Sequence, residues 1–306
     1  MNRLLKISNG VLVFFIFFTL ILASCRSGGK GGKKDADSVA VSGADAAVYE
    51  DIKQAEKIFY TLPSPLESAM LIKSAGALFS EDLLNPIENT KNYNTNKSMA
   101  LNLGIYTCDL SFASLYDQTQ LIINYMNAAK KMADGLGILD AINDEDIEKL
   151  EENIHNTDVI MDIVSQTYMN SNSYLEENGQ PAIAAIVLTG GWLEGLYVST
   201  QLVDMKDFNG NKLVGRIIDQ KLSVDILIKL LESSKGHPAI DELITEVNRV
   251  KVVFDKITLT TSPVRPEYNQ ATNVTVLKSE VQSDLSPEVF QELSKLVAEI
   301  RNNLIK

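Results

Sequence analysis

Cysteine and histidine are scarce, two of each in 306 residues, and there is a single tryptophan. His155 sits in the charged stretch Glu151-Glu152-Asn153-Ile154-His155, and His237 stands before Pro238 at a helix start. Neither belongs to a His-Glu-x-x-His pair, which removes that zinc-hydrolase arrangement. A Gly-x-Ser-x-Gly elbow is missing, and no Cys-His signature surrounds Cys108, which reads as a small core residue. No Gly-x-x-x-x-Gly-Lys is followed by Ser or Thr, so the glycine- and lysine-rich stretch after residue 26 is no phosphate loop. Asp204 to Asn211 lacks the ligand alternation of a calcium loop and reads as a turn. No metal or cofactor motif emerges. Cations are the minority, 28 Lys and Arg against 40 Asp and Glu, for a net charge of −12. Such a surface argues against nucleic acid as a partner, because a polyphosphate needs clustered cations. Sustained strand-like alternation is absent too, which argues against a sheet protein.

Long apolar runs are confined at the N-terminus to Val11–Leu22, twelve residues preceded by Arg3 and Lys6. That is too short to span a bilayer comfortably, and with its basic flank it reads as an export signal. The run ends in Leu22-Ala23-Ser24-Cys25. These residues resemble the signal peptide and lipobox of bacterial lipoproteins. The resemblance covers residues 1–25 only and implies cleavage after Ser24, with lipid on the Cys25 thiol and on the new amino terminus. It implies a membrane-bound protein of the cell envelope, with the periplasmic or surface face open. Residue 26 is Arg rather than the Asp of an inner-membrane retention signal, so the expected address is the outer membrane. Residues 25–47 are rich in Gly, Lys and small side chains and cannot bury a core; they read as a flexible tether.

From residue 48 onward, apolar residues recur at helical spacing. A stripe of Ile52, Ala55, Ile58 and Phe59 precedes Pro63, and Pro65 opens the next helix. Met99 to about Leu136 reads as one long apolar stretch. Further helices are expected from Asp144, over Thr157–Asn178, Pro181–Met205, Leu213–Ser234 and Pro238–Ile257, and from Ser286 to about Leu304. Residues 259–286, with the β-branched run Thr272–Val276, break this pattern as one extended segment, one short strand packed across the helices. The expected fold is all-α, an array or bundle of eight or nine helices in a single domain over residues 48–306.

One self-similarity stands out. Leu115-Tyr116-Asp117-Gln118-Thr119-Gln120-Leu121 recurs 81 residues later as Leu196-Tyr197-Val198-Ser199-Thr200-Gln201-Leu202, five of seven positions being identical. The spacing suits a duplicated helical unit. On one helix Asp109, Tyr116 and Gln120 share a face, and on the other Glu194, Tyr197 and Gln201 do. If both helices are central, these groups converge, and buried polar groups must be hydrogen-bonded to each other or to a ligand. They are the candidate ligand-binding residues, together with Trp192 in the run Gly190-Gly191-Trp192-Leu193-Glu194-Gly195. Polar networks inside helical proteins are more often architectural, and the glycines suit close helix contact. The function read from this is a non-catalytic binding or interaction module tethered to the outer membrane, engaging an envelope protein or a small molecule. The alternative is a carboxylate-dependent envelope hydrolase using Asp109 and Glu194.

Overall fold

The computed structural model describes residues 62–139, 144–263, 265–269, 274–278 and 281–306. The signal peptide, Cys25, the tether and the stripe Ile52–Phe59 lie outside them.

Nine α-helices occur among the described residues: α1 Pro65–Ser74, α2 Asn96–Leu115, α3 Thr119–Gly135, α4 Asp144–Glu152, α5 Thr157–Glu177, α6 Pro181–Gln201, α7 Lys212–Ser233, α8 Pro238–Phe254 and α9 Pro287–Leu304. The all-α expectation holds. Local chemistry sets most of the boundaries. Ser64 accepts from the Glu67 N–H while Glu67 reaches back to the Ser64 N–H, a capping box with Pro65 at the first helical position. Thr95 and Ser98 do the same for α2, and Ser286 caps α9 ahead of Pro287.

The stretch from Met99 to Leu136 is two helices rather than one. It breaks at Tyr116-Asp117-Gln118, where Asp117 takes φ +56°. The left-handed residue turns the chain, and the Asp117 carboxylate accepts from the Thr157 hydroxyl. The segment from 259 to 286 also differs in detail. It holds four short strands, β1 Leu259–Thr261, β2 Arg265–Asn269, β3 Val274–Lys278 and β4 Val281–Ser283. They form two antiparallel pairs, β1 with β4 and β2 with β3, with Arg265 opposite Lys278.

Two helices form the centre. α2 is buried from Ala100 to Leu115 and α6 from Ile183 to Val198, with apolar residues on every side. Helices without a polar face must be covered all round. Although α6 is long and apolar enough to cross a membrane, 89% of its most apolar window is buried among the other helices. The two helices run in the same direction: Leu101 lies opposite Gly190, Gly104 opposite Gly191, and Cys108 opposite Gly195. A Cβ on Gly104 would stand 2.0 Å from the Val187 carbonyl oxygen, and one on Gly190 would stand 2.1 Å from that of Leu101. Backbone therefore rests on backbone, and these positions admit no side chain. The hydroxyls inside this core mostly bond to their own helix, Thr107 to the Leu103 carbonyl at 2.7 Å and Ser114 to that of Leu110 at 2.7 Å. Around the pair, amphipathic α3, α5, α7, α8 and α9 contribute Met132, Val164, Leu227, Val247 and Leu293 to one continuous core.

Candidate functional site

Close packing of α2 on α6 places two acids in the interior. Asp109 and Glu194 are both fully buried. One cation faces them, Arg301 from α9. Its Nε donates to Glu194 Oε2 at 2.8 Å and its Nη2 to Oε1 at 2.7 Å, a bidentate pair. Nη2 also donates to the Leu83 carbonyl, and the guanidinium lies 4.5 Å from the centre of the Tyr197 ring. Asp109 Oδ2 accepts the Asn85 N–H at 3.0 Å. The Asn85 amide donates in turn to Tyr93 and Asn102, and Tyr93 and Asn102 donate to the carbonyls of Ile305 and Leu304. A loop, both central helices and the end of α9 are thus joined through one polar knot.

Two buried carboxyl groups face one guanidinium, which binds only Glu194, and this arrangement favours the protonated form of Asp109. Burial raises the Asp109 pKa well above the ordinary carboxylate value; Glu194, within hydrogen-bonding reach, adds to the rise, while Arg301 and the Asn85 N–H oppose it. Among the described residues Asp109 Oδ1 is the one side-chain oxygen wholly sealed from solvent that has no hydrogen-bond partner. Carrying the proton, it becomes a donor to Glu194 and the mismatch disappears. In the unfolded chain the same acid ionises near its ordinary value, so the folded chain binds more protons. Stability therefore falls as pH rises above about 4, by up to about 1.4 kcal/mol per pH unit, until the folded pKa is passed. Asp109→Asn, which keeps an acceptor and a donor but has no proton to lose, is expected to flatten this profile. Urea unfolding across a pH series tests it, and an unchanged slope would refute the assignment.

The other sequence candidates separate. Tyr197 joins the knot through Arg301. Tyr116 does not: it ends α2, donates to the Ala77 carbonyl, and packs against Phe112 with ring centres 5.0 Å apart. Because the helix breaks there, Gln120 falls on α3, exposed, and bonds Asn124. Gln201 is exposed at the end of α6 and bonds Ser294. Trp192 is buried and donates to Gln220 at 3.1 Å, away from the acids. The two similar heptads also differ in structure, since one spans a helix break and the other a helix end. Arg301, Asn85 and Asn102 were not anticipated. Arg301 had a signal, for it falls on the apolar face of α9 marked by Phe290, Leu293 and Val297.

A second feature is an opening between α2, α3, α4, α5 and α6, with a cavity of about 80 Å³. Leu103, Leu110, Met126, Val164, Leu175 and Val187 are among the apolar side chains of its wall. Lys130 and Asp146, both half-buried, stand at its rim, and Ser171 and Asn172 interrupt the apolar lining. Among the described residues no group of three or more His, Cys, Asp or Glu comes together as a metal site. Cys108 is buried beside Gly195, and burial pushes its thiol pKa up, so it is no nucleophile in this state. Compared with protein-family models, curated proteins and solved structures, the chain finds no match in any of the three.

Proposed function

We propose that the protein is an envelope lipoprotein, anchored through Cys25, whose helical body is a non-catalytic binding module for a small ligand. The observation that carries the binding reading is the contrast between the two features above. The acid pair is sealed, ion-paired and fully hydrogen-bonded once Asp109 is protonated, which suits an architectural lock. The opening between α2 and α5 is concave and apolar with a few polar groups, as ligand sites commonly are. A hydrolase built on Asp109 and Glu194 is the weaker reading, because both acids are fully buried and neither lines the opening between α2 and α5. The anchor reading rests on the sequence Leu22-Ala23-Ser24-Cys25.

One measurement tests both halves. The full-length protein, extracted gently from its own membranes, is weighed by native and by denaturing mass spectrometry. The lipid is expected as an added mass that survives denaturation and disappears in Cys25→Ala. The ligand is expected as a second added mass, present only in the native spectrum. A Cys25→Ala protein of unchanged lipid content overturns the anchor, and identical native and denatured masses count against a tightly held ligand.

A further inference from the structure

We propose that the opening between α2, α3, α4, α5 and α6 takes the alkyl end of a single-chain amphipath whose head is uncharged and hydrogen-bonding. The inference rests on the reading of the protein as a binding module and names the ligand class. The wall is hydrocarbon, with Leu103 and Val187 coming from the two central helices. At about 80 Å³ the cavity is smaller than the roughly 150 Å³ one that admits benzene. It suits the tip of one chain and not a fused ring system or a two-chain lipid. A peptide would bring backbone N–H and C=O groups into a wall with few partners for them.

Polar groups in the opening select the head. Ser171 is only 8% exposed, yet its hydroxyl makes no hydrogen bond among the described residues, unlike Thr107, Ser111 and Ser114 nearby in the core. The Asn172 amide nitrogen donates to Glu176, while its oxygen has no donor among the described residues. At the rim Lys130 and Asp146 form no salt bridge with each other, and Asp146 also lies within the field of Lys149 on its own helix. A fatty carboxylate would meet Asp146 in a protein of net charge −12, and an alkylammonium would meet Lys130. A hydroxyl, an amide or a hydroxyl-bearing ester head accepts from Lys130 and Ser171 and donates to Asp146 without setting a like charge beside either residue.

The test uses the intact protein in its own membranes and three photoreactive probes with the same ten-carbon diazirine chain. One carries a glycerol ester, one a carboxylate and one a trimethylammonium head. The glycerol ester is expected to label peptides of α3 and α5, with the charged probes roughly tenfold weaker, the loss typical of one unmatched charged contact. Val164→Trp fills the cavity and should abolish this labelling; Thr167→Trp, at a half-exposed lining position, serves if that variant does not fold. Lys130→Met with Asp146→Leu should remove the preference among heads. Equal or stronger labelling by either charged probe overturns the head class and leaves the pocket standing. No labelling of α3 or α5 by any probe overturns both the inference and the pocket reading beneath it.

Discussion

Gly104→Ala is expected to lower stability by about 3 kcal/mol or more, and Gly215→Ala to raise it by about 0.5–1 kcal/mol. Both substitutions add one methyl to a helix interior, and only the surroundings differ. At Gly104 the methyl would meet the Val187 carbonyl oxygen at 2.0 Å and the Gly191 nitrogen at 2.7 Å. Ordinary overpacking costs about 1–3 kcal/mol because side chains can rotate away; here the obstructing atoms are backbone, so α2 and α6 must separate. Nothing lies within 4 Å of a Cβ at Gly215, which is exposed on α7, so alanine there only improves helix propensity. Urea midpoints of the two variants give the comparison. A mild loss at Gly104, similar to that of a surface substitution, would contradict the backbone-on-backbone contact.

Arg301→Ala should destabilise by about 3–5 kcal/mol, since it leaves Glu194 buried with no cation to balance its charge. It also strips a donor from the Leu83 carbonyl and the cation from the face of Tyr197. Removing both partners is a different perturbation from removing one. The Arg301→Met, Glu194→Met double variant is expected to be more stable than Arg301→Ala alone, because no charge is then stranded. Denaturant unfolding of Arg301→Met, of Glu194→Met and of the double variant measures the coupling. Strict additivity would mean that the pair does not act as a unit.

The helical body was legible because its signals are local. Proline at the starts of α1, α6, α8 and α9, and serine or threonine caps ahead of α1, α2 and α9, fix ends that a sequence displays openly. The meeting of Asp109 with Glu194 was legible as well, since each sits in an apolar helix where an acid needs company. The break at Asp117 was not, for neither glycine nor proline marks it and its carboxylate is held by Thr157, 40 residues away. Placing Tyr116 and Gln120 on one uninterrupted face followed from that omission. Arg301 answers Glu194 across 107 residues, a pairing that helical periodicity cannot reveal. The paired strands β1 to β4 were compressed into one extended segment because each is only three to five residues long.

The position of Arg301 also bears on the order in which the molecule can assemble. A chain that emerges from its amino end delivers α2 and then α6 well before α9. During that interval Asp109 and Glu194 have no guanidinium, and docking α2 onto α6 would enclose an unbalanced carboxylate. Asn102 and Tyr93 likewise wait for the carbonyls of Leu304 and Ile305. In the folded molecule the final helix thus acts as a clasp across the central pair.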